Sequence, residues 1–224
     1  MLTLYHCISA RSFRVLWLLE ELRLPYDLRV LAFPPRAHDK SFLELNPRGT
    51  VPLLIDGETR MTESAAICEY LALRHSPGAL SVGADEADFG AFLNYLHMSD
   101  ATLTFPQTLL LRYSRFEPAE RLQPQVVDDY SKWFLSRLRT LEPHLTAREF
   151  LCADRFTAAD VAVGYALMLA ELLELHAKFT PAVAAYWQRL RTREGFTRAL
   201  RAQERAAVAQ GVSARPATEV PPQL

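Results

Sequence analysis

The stretch Asn46-Pro-Arg-Gly-Thr-Val-Pro52, followed by the apolar run Leu53-Leu-Ile55 and by Asp56-Gly57, constrains the fold of this chain more than any other. Gly49 permits a turn that a residue carrying a Cβ resists. X-Pro is the one common setting for a cis peptide, so a cis Pro52 in a tight turn before a strand is expected. Asp56-Gly57 is a hairpin signal that returns a second short strand through residues 58–60. Thr62 then caps a helix whose first turn carries Glu63 and Ser64. Unpaired N–H groups and a small hydroxyl at a helix start make a socket for a carboxylate. An extended backbone edge beside an anion socket suits a small acidic peptide.

Upstream, residues 2–5 read as a strand and 26–31 as a second one. Between them 11–22 reads as a helix, with Val15, Leu18, Leu19 and Leu22 at helical spacing. A right-handed crossover makes the two strands parallel. Residues 34–37 read as a loop and 39–45 as a short helix or turn.

After Gly83 no strand signal remains. Residues 84–113 form a long helical stretch, bent near Pro106 because proline removes a helix hydrogen bond. Residues 119–145 form another, with Val126, Tyr130, Trp133, Leu138 and Leu141 as its apolar stripe. Thr157-Ala-Ala-Asp160 has capping-box form and opens the run 161–170, apolar on all sides and therefore a buried helix. Val183, Tyr186, Trp187 and Leu190 mark a further helix, and a last one runs from about 195 to 207. Three prolines and few apolar residues make 212–224 a disordered tail. The expected organisation is an α/β domain over 1–77 and an all-helical domain over 84–211.

A net charge of −1 supports neither nucleic-acid nor anionic-membrane binding. The run 161–170 is too short to span a bilayer, and no basic-then-apolar leader opens the chain. Three widely spaced cysteines, Cys7, Cys68 and Cys152, fit neither a disulfide framework nor a zinc cluster. They point to a reducing, cytoplasmic setting with no metal.

Four motifs in this order resemble the cytosolic glutathione S-transferase family: Arg14-Val-Leu-Trp-Leu-Leu-Glu-Glu-Leu22, Asn46 to Pro52, Thr62-Glu-Ser-Ala-Ala-Ile67 and Phe156-Thr-Ala-Ala-Asp160. The first is most similar to a bacterial and fungal subgroup with Trp-Leu-Leu-Glu-Glu-Leu in its first helix. The resemblance covers nearly the whole chain. It implies a thioredoxin-like N-terminal domain followed by an all-helical domain, and a two-fold homodimer acting in detoxification. It also implies that Val51 offers its backbone to the cysteinyl part of glutathione beside cis Pro52. Glu63 and Ser64 would take the γ-glutamyl end, with Ser64 on its carboxylate, and His38 or Lys40 would meet the glycine carboxylate. The motif at Thr157 to Asp160 needs no more than a capping box to explain it.

Transferase chemistry needs a thiolate, because the thiol is a poor nucleophile. Aligned on Arg14-Val15, the resemblance places Ser9 at the hydroxyl donor of serine-type transferases and Cys7 at the nucleophile of cysteine-type relatives. Arg11 or Ser12 would give electrostatic support. The subgroup's usual Ser-Arg-Ser is replaced here by Ala10-Arg11-Ser12, so the residues leave both Ser9 and Cys7 standing. For the electrophile, Tyr95, Met98, Thr102 and Phe105 recur at helical spacing and form one adaptable apolar face. The implied activity joins the glutathione thiolate to a hydrophobic electrophile, with glutathione as co-substrate. The alternatives are thiol–disulfide exchange through Cys7 and a non-catalytic interaction protein that keeps the fold.

Overall fold

The computed structural model describes residues 1–219. They group into two compact units: residues 1–71 together with the chain from Arg193 onward, and Ala72–Thr192. The last helix, expected in the all-helical domain, belongs to the first unit.

In the first unit, β1 (Leu2–His6) pairs in parallel with β2 (Tyr26–Val30) across helix α1 (Phe13–Leu22). Two short helices, α2 (Pro35–His38) and α3 (Phe42–Leu45), follow. The stretch 34–37, expected as a loop, is helical because Pro35 stands at the first helical turn, where its missing N–H costs nothing. The hairpin β3 (Leu53–Asp56) and β4 (Thr59–Met61) completes a sheet of order β2-β1-β3-β4, with β3 antiparallel to both neighbours. Gly57 takes the left-handed conformation in the hairpin turn. The mixed sheet, its crossover helix and the closing helix α4 (Ser64–His75) make the thioredoxin-like arrangement.

The spacing of Val15, Leu18 and Leu19 describes one apolar face, yet every residue of Phe13–Leu19 is buried. The other face of α1 is covered by α11 (Glu194–Ala209). Phe196 sets its ring edge-on against Trp17, centroids 4.9 Å apart, and against Phe13 at 5.5 Å. Glu21 receives the Trp17 indole N–H at 3.0 Å and a two-point Arg193 guanidinium at 2.8 and 2.9 Å. Glu20 takes Arg198 at 3.1 Å and the Tyr26 hydroxyl. The Glu21 side chain is only 8% exposed, a burial a carboxylate tolerates only with such partners. At the other end, Gln210 bonds the Val30 N–H and the Leu28 carbonyl, closing part of the free edge of β2. Residues 212–219 do not follow the disordered reading. The Val212 N–H bonds the Ala207 carbonyl at 2.9 Å, Val212 packs on the cluster of Ile8, Val30 and Ala207, and Thr218 is buried. The rest of that expected tail, 220–224, lies outside the described residues.

The second unit is helical and holds no strand among the described residues, only an isolated bridge between Cys152 and Arg155. α5 (Phe89–Met98) widens into a π-helical segment over Ser99–Thr104 and resumes as α6 (Phe105–Leu111). Pro106 has no N–H to give to the preceding turn, and the wider turn before it lets the helix continue. The hydroxyls of Ser99 and Thr104 bond the carbonyls of Leu96 and Ser99, each at 2.7 Å. α7 (Pro124–Leu138) and α8 (Glu142–Ala147) follow. On α7 the buried positions are Phe134 and Leu138, whereas Trp133, expected in the stripe, is 48% exposed with Arg137 stacked 3.9 Å from its ring centre. α9 (Ala158–Leu172) is buried on all sides through Ala170, as its composition requires, and α10 (Pro181–Arg191) packs against it. The capping box of Thr157 and Asp160 is complete. Asp160 also accepts the Leu151 N–H at 3.0 Å and the Tyr186 hydroxyl at 2.8 Å. No described helix is long and apolar enough to cross a membrane.

Gly195 lies so near α1 that an added Cβ would stand 2.7 Å from Glu21 Cγ. Gly195→Ala should therefore lower stability by about 1–3 kcal/mol, the range for overpacking. A chemical-denaturation midpoint shifted down without a change of slope is the expected result, and an unshifted midpoint would show that α11 docks without that contact.

Candidate active site

The turn before β3 is built by Asn46. Its side-chain amide donates to the Thr50 carbonyl at 2.8 Å, its side-chain oxygen accepts the Arg48 N–H at 3.2 Å, and its backbone carbonyl accepts the Gly49 N–H at 2.9 Å. Gly49 has φ +60°, and a Cβ there would stand 2.7 Å from Arg36 Cβ and 2.9 Å from Leu43 Cδ2. Glycine is required twice, for conformation and for space. The Val51-Pro52 bond is cis, as is Phe33-Pro34, which the sequence reading did not anticipate. Pro52 is buried and Val51 half-buried beside it.

α4 begins one residue later than expected. The Glu63 carbonyl takes the first helical hydrogen bond, from Ile67 at 2.9 Å, while the Thr62 hydroxyl accepts Arg48 at 2.8 Å. Thr62 thus ties the turn to the helix rather than capping it. Glu63 is exposed, and Ser64 is buried at the helix start. Behind Ser64 lies Arg14, fully buried on α1, whose guanidinium donates to Ser64 Oγ at 2.9 Å. Because that oxygen accepts from Arg14, its own hydrogen points elsewhere, and the buried cation favours an anion at this spot. In the sequence Arg14 stands out only as part of the first-helix motif. A buried arginine shows no signal until its partners are known. His38 and Lys40 are exposed, on and just beyond α2.

The loop 7–12 joins β1 to α1. Cys7 is fully buried, its thiol lies 3.9 Å from the Ala32 carbonyl, and burial pushes it up to about 12. A thiol in that state is neither accessible nor ionised at neutral pH. Ser12 is also buried: its hydroxyl lies 2.8 Å from His6 Nδ1 and accepts the Cys7 N–H at 3.3 Å. Ser9 and Arg11 are half-buried. Ser9 has φ +54°, a conformation few residues with a Cβ adopt, and it stands just ahead of the N-terminus of α1. Its backbone N–H donates to Gln203 Oε1 at 3.0 Å, and Gln203 Nε2 lies 3.3 Å from Ser9 Oγ. Gln203, on α11, also meets His6 Nε2 at 3.0 Å. Tyr5 belongs to the packing, its ring 5.4 Å from Phe42. Ser9 is the hydroxyl of this loop left at an accessible level, beside the positive end of a helix where an anion is stabilised.

The four residues of the electrophile face do not form one uniform row. Phe105 N–H bonds the Asp100 carbonyl five residues back, so the π-helical turn between Met98 and Phe105 breaks the spacing that placed them together. Tyr95 sets its ring 5.7 Å from His144, Met98 and Thr102 are half-buried, and Phe105 is 52% exposed. Among the described residues no cluster of three or more His, Cys, Asp or Glu could hold a metal ion.

In sequence and in fold the chain is similar to known glutathione transferases. Residues 8–74 match the family model described as glutathione S-transferase, N-terminal domain. Glutathione S-transferase 3 of Schizosaccharomyces pombe is 27% identical over 181 residues, covering 76% of this chain and 75% of that protein. Glutathione S-transferase GstB of Escherichia coli K12 is 32% identical over 155 residues, covering 67% and 73%. The solved structure of glutathione transferase URE2P8 from Phanerochaete chrysosporium, with oxidised glutathione, superposes at a TM-score of 0.81 and 22% identity, covering 95% of this chain and 97% of that one.

Burial lowers the His6 imidazole from 6.5 to about 4, against smaller opposing effects of its bonds to Gln203 and Ser12. Between those values the unfolded chain binds more protons than the folded one, so stability rises with pH through the window and is lost as pH falls from 6.5 towards 4. The span is worth on the order of 3 kcal/mol. Denaturation at pH 7, 5.5 and 4.5 should show this loss in the wild type and a shallower one in His6→Gln; equal slopes would remove His6 as its source.

Proposed function

The chain belongs to the glutathione S-transferase family, and from that membership we propose how its residues divide the work of joining a glutathione thiolate to a hydrophobic electrophile. Val51 presents its backbone N–H and C=O to the cysteinyl part of glutathione, beside cis Pro52. Ser64 donates to the γ-glutamyl carboxylate with the Arg14 charge behind it, and Glu63 meets the rest of that end. His38 or Lys40 serves the glycine carboxylate. The complex of a structural neighbour with oxidised glutathione supports the same class of ligand here.

Ser9 is the activating residue. Lowering a free thiol from about 8.5 by roughly two units takes about 2.7 kcal/mol of preferential stabilisation of the anion. One hydroxyl hydrogen bond to a charged acceptor contributes about 1.5–3 kcal/mol, and the N-terminus of α1 adds to it. The observation that carries this choice is the contrast within one loop. Ser9 stands half-buried ahead of α1, while Cys7 is sealed from solvent with its thiol pushed up to about 12. The same contrast argues against disulfide exchange through Cys7. Arg11 adds positive potential beside the sulfur.

Tyr95, Met98, Thr102 and Phe105 are offered as the residues that meet the electrophile, Phe105 foremost because of its exposed ring. Three unpaired, buried cysteines support a reducing cytoplasmic setting. A homodimer engaged in detoxification completes the reading, and sedimentation of the purified protein tests the oligomer.

Conjugation of chlorodinitrobenzene should fall at least tenfold in Ser9→Ala and stay near wild type in Cys7→Ser. The reverse pattern would transfer the role to Cys7. Ser64→Ala should weaken glutathione binding at least several-fold, since a charge-assisted hydrogen bond is lost. Calorimetry showing unchanged affinity would sink the carboxylate assignment.

A further inference from the structure

One backbone hydrogen decides the direction of the hydrogen bonds that join Ser9, Gln203, His6 and Ser12. The Ser9 N–H can only donate, so the Gln203 atom facing it at 3.0 Å is the amide oxygen. That same oxygen lies 3.0 Å from His6 Nε2, which must therefore carry the imidazole hydrogen. His6 Nδ1 is then an acceptor, and the Ser12 hydroxyl donates to it at 2.8 Å. With its oxygen so placed, Gln203 turns its NH2 group to Ser9 Oγ at 3.3 Å, and that hydroxyl oxygen accepts. The Ser9 hydrogen is thereby directed away from α11. Gln203 and His6 are both buried, so water does not compete strongly for these bonds.

We propose that Gln203 is a positioning residue for thiol activation: it holds Ser9 in its left-handed backbone conformation and sets the direction of its hydroxyl hydrogen. This rests on the reading of Ser9 as the activating residue. A serine at φ +54° persists only where its surroundings hold it there, and Gln203 grips both its N–H and its Oγ. Ser12 has a different task in the same network, because its hydrogen goes to His6 and its oxygen to the Cys7 N–H. The last helix thus reaches Ser9 from behind through one amide.

Gln203→Leu keeps the size of the side chain and removes its bonds to the Ser9 N–H, Ser9 Oγ and His6 Nε2. At neutral pH the ultraviolet thiolate absorbance of enzyme-bound glutathione should fall several-fold and kcat about tenfold, the equivalent of one net hydrogen bond. The glutathione dissociation constant should stay within about twofold, because the groups proposed to bind its backbone are untouched. Gln210→Leu, which loosens the same helix where it bonds β2, should leave thiolate and kcat as in the wild type. If Gln203→Leu does not fold, Gln203→Glu carries the test. It keeps an acceptor for Ser9 N–H and His6 Nε2 but offers an oxygen to Ser9 Oγ, which draws the hydroxyl hydrogen back and should lower the thiolate signal equally. Wild-type thiolate and kcat in either folded Gln203 variant would overturn the proposal, as would an equal loss in Gln210→Leu. Ser9→Ala separates the two levels. Retained thiolate there removes Ser9 itself, whereas loss in Ser9→Ala with retention in the Gln203 variants removes Gln203 alone.

Discussion

The docking of the last helix onto the first holds the loop between β1 and α1 in place. Glu21 is a carboxylate with almost no access to water, tolerable only because Trp17 and Arg193 supply it with three hydrogens. Removing α11 would strand that charge and uncover the face of Phe13 and Trp17 that Phe196 fills. Removing one partner of such a pair costs several kcal/mol, far more than an exposed ion pair would. The loop between β1 and α1 therefore lies against a helix that arrives nearly two hundred residues later in the chain, and the Ser9 N–H and Oγ are satisfied from there.

That arrangement sorts three similar groups into different roles. Cys7, Ser9 and Ser12 lie within six positions and could each donate to a thiolate by composition alone. Burial takes Cys7 out of reach and keeps its proton on. His6 and the Cys7 backbone occupy Ser12. Gln203 holds Ser9 from behind and leaves it at the accessible level of the loop. The same economy applies at Ser64, with Arg14 buried behind it so that a charge supports the hydroxyl without reaching solvent.

Elements with a local cause are legible in the sequence. The parallel pair, the Asp56-Gly57 hairpin, the cis bond at Pro52 and the buried α9 follow from periodicity and turn chemistry within a few residues. Misreadings arose where a distant partner changed the outcome. Thr62 looked like a helix cap, but Arg48 claims its hydroxyl and the helix starts after it. Trp133 looked like core at helical spacing, but Phe134 fills that position and Arg137 covers the indole. The row from Tyr95 to Phe105 assumed a constant turn, and the π-helical segment ahead of Pro106 alters it.

By itself the sequence determined the order of the main elements, the turn at Gly49 and the family to which the chain belongs. These depend on short-range geometry, in which glycine, proline and apolar spacing leave few alternatives. Tertiary structure alone decided that α11 joins the N-terminal unit, that Glu20 and Glu21 form its seat, and that Gln203 reaches Ser9 across 194 positions. Spacing along one helix cannot reveal such partners, because a buried charge or amide is identified by what it meets, and here those partners lie at opposite ends of the chain.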